Sequence, residues 1–328
     1  MNLKVIRKLS DKQMRMQFVL AAVVFAVSSL LADRPTLASE AASSGYMPGT
    51  YGDFAMGFVP GPGTYVENDT MWVWGNAGTA LLEGQLTLNL EQIIVVNLTK
   101  ITHVTDWNVL GANFGFGMFL PLVYGDITGT ISAGGPGLSA SDDAFGIGDI
   151  FIVPALLSWN VGNFHILAIQ GVVAPTGDYS LSNFMNIGRN YWSFDSNLAF
   201  TWLDPARGHE VSFNAGIRFN TTNEATNYRT GNEFHLDFTV AQHFSEALAV
   251  GLVGYYYRQV SGDSGTGATL GSFEGESLGL GPAVQWTTSI GQNPVALTAK
   301  WIHDIHTVNR FSNDYIFMEI KVPFIAGM

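Results

Sequence analysis

The feature that most constrains this chain is a strict alternation of side-chain character between residues 191 and 203. Trp192, Phe194, Leu198, Phe200 and Trp202 hold even positions, with Ser196 among them, while Ser193, Asp195, Asn197 and Thr201 hold odd ones. Successive side chains of a strand project to opposite faces, so this order makes a ribbon with one apolar and one polar face. The two tryptophans stand ten residues apart. On a strand tilted by about 45° that separation is ~24 Å of height, close to the apolar band of a membrane barrel.

The pattern recurs. Val211, Phe213, Ala215, Ile217 and Phe219 alternate with Ser212, Asn214, Gly216, Arg218 and Asn220. Phe234, Leu236, Phe238 and Val240 alternate with Glu233, His235, Asp237 and Thr239, and Ile316, Met318 and Ile320 with Tyr315, Phe317, Glu319 and Lys321. Segments 164–175 and 247–258 suit a strand but give no clean faces. A soluble sandwich built from such strands would leave apolar patches in water well beyond the few hundred Å² that soluble monomers tolerate.

Twelve strands are expected, near 64–75, 91–104, 109–125, 145–159, 162–175, 190–203, 209–222, 232–244, 247–260, 274–289, 293–307 and 312–324. The connections between them alternate in length. Short ones fall at 105–108, 160–161, 204–208, 245–246 and 290–292, and long ones include 126–144, 176–189 and 261–273. Short periplasmic turns and long outer loops produce this alternation. The expected fold is therefore all-β, a transmembrane antiparallel up-and-down β-barrel.

The N-terminus has a different character. Residues 1–17 are basic, 18–32 form an uncharged apolar run, and small residues follow at Thr36-Leu37-Ala38. This is the order of a secretory signal, and the 15-residue run is short for a spanning helix, which needs about 20 residues. Residues 1–38 are expected to be a signal peptide, cleaved after Ala38 or Ala42. Residues 39–65 form a Gly/Pro-rich segment and 66–328 the barrel. Regular structure is blocked in the segment by its Gly and Pro, and irregular backbone survives at membrane depth only where protein or water satisfies it. Pro48, Gly49, Gly52 and Asp53 are therefore candidates for a lumenal plug.

Charged residues make up only 13% of the chain, and mean hydropathy is +0.19, too low for a helical membrane protein. There is no cysteine, which excludes disulfides and thiolate metal sites. Beyond residue 38 the chain carries 9 basic and 25 acidic residues, a net −16, which argues against nucleic acid as a partner. The same balance predicts that anions are disfavoured in a pore.

No Gly-x-Ser-x-Gly and no His-Glu-x-x-His occurs. Alternation places His303 and His306 on opposite faces, so they cannot share a metal on a regular strand. Asp142-Asp143 offers oxygen ligands in the long 126–144 connection, but such pairs are common. Glu233, His235 and Asp237 share one face. As a catalytic set they lack a nearby serine in sequence. As lumen residues they belong with Asp195, Arg218, Lys300, Glu319 and Lys321, the polar interior a barrel is expected to have. No metal or other cofactor is expected.

Several motifs together resemble a known family. They are Tyr46, Pro48-Gly49, Gly52-Asp53-Phe54 and Pro60-Gly61-Pro62-Gly63; Gly148-Asp149-Ile150 with Pro154; and Pro175-Thr176-Gly177-Asp178-Tyr179. Gly254-Tyr255-Tyr256-Tyr257-Arg258-Gln259, Gly262-Asp263-Ser264-Gly265, Gly281-Pro282, Lys300, Asn309-Arg310-Phe311 and Pro323-Phe324 complete the set. The chain is similar in these to the outer-membrane phenol meta-pathway degradation proteins. The resemblance implies a barrel in the outer membrane of a Gram-negative bacterium, placed there by the barrel-assembly machinery and surrounded by outer-membrane lipid. It also implies uptake of small hydrophobic or aromatic solutes for a catabolic pathway. The alternative class is an outer-membrane barrel enzyme acting on lipid or surface ester.

Overall fold

The computed structural model describes residues 45–81, 86–132, 137–269, 271–272, 274–291 and 293–324. The expected signal peptide, 1–38, lies outside the described residues. Thirteen strand segments follow one another: β1 (Gly63–Leu81), β2 (Leu86–Val109), β3 (Ala112–Ser132), β4 (Leu138–Ile147), β5 (Ile150–Val161), β6 (Phe164–Ala174) and β7 (Ser193–Asp204). Then come β8 (His209–Asn220), β9 (Glu233–His243), β10 (Leu248–Gln259), β11 (Glu276–Ile290), β12 (Asn293–Val308) and β13 (Ser312–Phe324). Every pairing is antiparallel between neighbours, and β1 pairs with both β2 and β13, so the sheet closes on itself.

The closed sheet has twelve staves because β4 and β5 share one. Leu122–Ile131 of β3 pairs with β4, and Asn113–Phe119 pairs with β5. The break between them is Gly148-Asp149. Its backbone is satisfied locally: the Gly148 amide donates to Pro121 O at 2.9 Å. The Asp149 carboxylate accepts from the amides of Gly177 at 2.9 Å and Arg189 at 2.7 Å.

Two expectations are corrected here. The strand expected at 145–159 is two segments, and most of the loop expected at 126–144 is strand. Across this hairpin Thr128 faces Ser141 and Thr130 faces Ser139, whose hydroxyls lie 2.9 Å apart. Small polar side chains suit a strand, but outside the apolar band they carry no hydropathic period to reveal it. For the same reason β1 and β2 run well past the expected 64–75 and 91–104.

Side chains alternate as the pleat requires. On β7, Phe194 and Leu198 point outward, 44% and 52% exposed, while Asp195 and Thr201 are fully buried. Outward exposure of Val240, Val250, Leu252, Trp286, Met318 and Ile320 continues the apolar belt. The short turns and both ends of the described barrel chain, Gly63 and Phe324, lie at one rim. We call that rim periplasmic. A β-bulge opposite Leu278/Gly279 makes Ile305 an extra residue, so His303 and His306 are both exposed instead of facing opposite ways. Among the described residues no group of three or more His, Cys, Asp or Glu is placed to hold a metal ion.

The belt makes a clear prediction about medium. Leu198 sits mid-height between Trp192, just before β7, and Trp202 within it, whereas Leu110, 84% exposed, sits in the β2–β3 rim turn. In lipid refolding titrations Leu198→Arg is expected to cost about 2–4 kcal/mol and Leu110→Arg about 0–1 kcal/mol. Equal costs would mean that the two leucines share one medium and that the belt is not embedded in a membrane.

Candidate functional site in the barrel lumen

The interior is occupied in part by the chain's own N-terminal segment. Residues 45–62 enter no strand. They bend through short turns, with the Thr50 amide donating to Met47 O and the Gly52 amide to Gly49 O, at 3.2 and 3.1 Å. Gly49 has φ +78°, a conformation that favours glycine, and packs against the Ile302 and Phe317 side chains.

The segment is tied to the wall rung by rung. Tyr46 Oη donates to Asp237 Oδ2 at 2.8 Å, and Lys300 Nζ donates to Gly52 O at 2.7 Å. Thr239 Oγ1 donates to Asp53 O at 2.9 Å, and the Ala55 amide donates to Glu210 Oε1 at 2.6 Å. The Gly57 amide donates to Thr201 Oγ1 at 2.9 Å, and Asn160 Nδ2 to Val59 O at 3.2 Å. Tyr46 stacks on the His235 ring with centroids 4.4 Å apart, and Tyr51 also lies parallel to that ring, at 5.6 Å. At Gly57 a Cβ would stand 2.5 Å from His165 O, so the backbones touch.

These ties explain the interior charges. Asp195 pairs with Arg218 at 2.6 Å and lies 3.0 Å from His235 Nε2. Glu233 accepts from Tyr257 Oη at 2.7 Å and from Asn220 Nδ2 at 3.1 Å. Lys300 pairs with Glu319 at 2.6 Å and stands over the Phe317 ring, and Lys321 pairs with Glu67 at 2.9 Å. The structure thus brings most of the eight lumen candidates into two networks against the segment. Of the eight, only Arg218 and Lys321 also border the open cavity beside it. Of the four plug candidates, Pro48 and Asp53 border it.

That cavity has a volume of about 1130 Å³ and reaches from Lys321 and Pro294 near the periplasmic rim to Met185 and Phe311 near the outer one. Its wall is the opposite half of the barrel. Met71 and Val73 of β1, Ile94, Val96 and Leu98 of β2, Phe119 and Val123 of β3, Phe151, Val153 and Leu156 of β5, and Leu167 and Ile169 of β6 face it. The segment turns Met47, Phe54, Met56 and Val59 toward the same space. The lumen is therefore divided: a polar half grips the segment, and an apolar half is left open.

None of the apolar wall residues on β1–β6 was singled out by sequence. The available signal was the near-continuous apolar runs at 93–98 and 151–157, since strands apolar on both faces lose their alternation. The charge expectation is corrected too. Although the chain is acidic, the cavity's lining residues include five basic ones, Lys100, Arg189, Arg218, Arg310 and Lys321, against Asp53, Glu67 and Asp149.

A hydrolytic site needs a nucleophile hydrogen-bonded to a base. His235 has Asp195 at one nitrogen and Asp237 4.0 Å from the other, with tyrosine rings over its face. No serine or threonine hydroxyl bonds to it among the described residues. Asp142 uses its carboxylate to hold the amides of Phe184 and Met185, at 2.9 and 3.0 Å.

One solved outer-membrane channel shares this architecture, and other solved barrels resemble it more distantly. An outer-membrane channel from Pseudomonas putida F1 superposes with a TM-score of 0.61 at 14% identity, over 85% of this chain and 100% of that one. The translocator domain of the autotransporter NalP from Neisseria meningitidis gives 0.43 at 12% identity, over 81% and 90%. The CymD monoaromatic hydrocarbon channel gives 0.36 at 8%, over 81% and 89%. The first of these shows the fold, an outer-membrane β-barrel. No functionally curated protein matches the sequence. The sequence profile of one family matches residues 82–320, most of the chain. The chain belongs to that family, which is described as "Putative MetA-pathway of phenol degradation".

Proposed function

We propose that the protein is an outer-membrane channel that passes small hydrophobic or aromatic compounds along the apolar half of its lumen, delivering them to a catabolic pathway. The observation that carries this is the divided interior. A water-filled porin needs a polar wall around its path. Here the path runs between the apolar residues of β1–β6 and the methionine and phenylalanine side chains of the segment. An apolar solute gains about 25 cal/mol for each Å² it buries against that surface. A hydrated ion gains nothing there and must shed water.

The family and the resemblance to an outer-membrane channel support the same reading. The enzyme reading has no such support. On this reading the chain is exported by its 1–38 signal, folded by the barrel-assembly machinery, and retains 39–65 as its plug segment.

The plug is the first test. With the signal peptide kept, deleting 45–60 is expected to leave a heat-modifiable, folded barrel and to raise single-channel conductance severalfold, because water then reaches the polar half. A folded deletion variant with unchanged conductance would show that the segment does not limit the path.

The apolar wall is the second. Val96→Asp and Val153→Asp each place a carboxylate on the cavity surface. Uptake of toluene by cells expressing either variant is expected to fall about fivefold at low external concentration, the effect of roughly 1 kcal/mol of lost apolar contact. Unchanged uptake in both would move the path out of this half of the lumen.

A further inference from the structure

We infer that Gln92 selects for a hydroxyl group on the solute. Its side-chain carbonyl is the open hydrogen-bond acceptor in the outer part of the cavity, and the solute it favours is a neutral apolar molecule carrying one O–H donor. The inference rests on the channel reading above and narrows its solute class. Gln92 lies on β2 in the same inward register as Ile94 and Val96, and it lines the cavity with Val73, Phe311, Asn313 and Met185. It is half-buried. Its Nε2 donates to Asn313 Oδ1 at 2.9 Å. Its Oε1 accepts from no group among the described residues and is not enclosed by protein, so it opens on the lumen.

The neighbours fix which end of the amide is free. Asn313 Nδ2 donates to Tyr315 Oη at 3.0 Å and to Phe311 O at 3.4 Å, and a backbone carbonyl can only accept. Asn313 must therefore turn its Oδ1 toward β2, and Gln92 must meet it with its NH2. The Asn313 backbone is held as well, its amide donating to Asp304 Oδ2 at 2.9 Å. Gln92, Gly75 and Asn313 form one cross-strand row over β2, β1 and β13. The middle position suits glycine alone, because a Cβ there would run into the Asn313 amide and the Ser312 backbone carbonyl. The two amides meet across it, and the Gln92 carbonyl is left unused.

Other acceptors at this end are engaged. Asn186 Oδ1 accepts from the Ser180 amide, and its Nδ2 donates to the carbonyls of Ser180 and Asn183. Asp149 accepts from two amides. The surroundings of Gln92 are apolar. Ile127 stands opposite it on β3 and packs with Phe311 and Ala77, and Leu90, Phe184 and Met185 pack against that cluster. In such surroundings a hydroxyl without an acceptor binds worse than an ether of the same composition, because it gives up its hydrogen bond to water. An open carbonyl reverses that order.

The test measures binding to the full mature protein in detergent by equilibrium dialysis, with protein-free micelles as the reference. It compares isomers: benzyl alcohol with anisole, and 1-octanol with dibutyl ether. Each alcohol is expected to bind about fivefold more tightly than its ether, equivalent to about 1 kcal/mol, one neutral hydrogen bond. In Gln92→Met the ethers should bind about as before, and the alcohol-to-ether ratio should fall to one or below. Heat modifiability on gels reports folding. Gln92→Leu replaces the methionine variant if that does not fold, and the parent's ratio decides if neither does. A parent ratio of one or less, or a ratio unmoved in a folded Gln92 variant, overturns the assignment and leaves the channel reading standing. So does a ratio lost in Gln285→Met and kept in Gln92→Met, since Gln285 also lines the cavity. Failure of all four probes to bind overturns the channel reading itself.

Discussion

The pairing of β1 with β13 is the contact on which everything else depends. In hydrocarbon there is no water to satisfy a free strand edge, so a sheet at membrane depth must close or stay out. Thirteen residues of β1, from Thr64 to Asn76, find partners on β13, and nineteen find partners on β2. Closure settles what faces lipid. It leaves the interior free, because interior side chains meet only one another, water and whatever the chain places inside. This barrel uses that freedom unequally, polar from β7 to β9 and at the inner faces of β12 and β13, and largely apolar from β1 to β6 apart from the Glu67–Asp69–Lys100 cluster near the periplasmic rim.

The unequal interior explains how the N-terminal segment is held. Its backbone lacks strand partners, so its polar groups need side chains to bond to. Glu210, Thr201, Thr239 and Lys300 provide them. Buried ion pairs such as Asp195–Arg218 contribute little net stability, because desolvation offsets most of the attraction. Their consequence here is positional. They fix His235 as a flat surface on which Tyr46 and Tyr51 lie. The residues that grip the segment are thereby withdrawn from the solute path, which is why most of the interior charges do not border the cavity.

This division also sets what the sequence could show. On β7, β8, β9 and β13 a polar interior meets a lipid exterior, and the alternation of Phe194, Leu198 and Phe200 with Asp195, Asn197 and Thr201 marks both faces. On β2, β5 and β6 both faces are apolar, so Ile94, Val96 and Leu98 could not be told from lipid-facing neighbours such as Ile93 and Ile101. On β1 and β2 both faces turn polar locally: Asn68 and Asn97 pair across neighbouring strands, with Thr70 and Thr99 completing their hydrogen bonds, while Lys100 pairs with Glu67 and Asp69 on the other face. Gly and Pro made the irregular segment 45–62 visible, but the partners of Tyr46 and Gly57 lie 191 and 144 residues away and become neighbours only once the barrel closes. The net charge of the chain misled about the pore for a related reason. It sums over loops and buried acids that no solute meets.

The break at Gly148-Asp149 shows how one wall position can be irregular with its backbone groups still hydrogen-bonded. Beyond it β4 has no strand neighbour on the β6 side, because β6 ends at Ala174. The 175–192 connection stands there instead. Asp149 and Asp142 each take two of its amides, Thr176 Oγ1 donates to Gly148 O while accepting from the Ile150 amide, and Gly177 packs directly on Gly188. With the backbone satisfied in this way, the connection can turn Met185 over Gly125 and Ile187 against Gly146, where glycine leaves the space they occupy. Met185, Asn186, Ile187 and Arg189 then border the cavity. The outer end of the path is thus shaped by a loop clamped by carboxylates, while its lower wall is shaped by strands. The outer end can therefore differ in charge from the groove it opens into, because its side chains are not bound by the alternation that governs the staves.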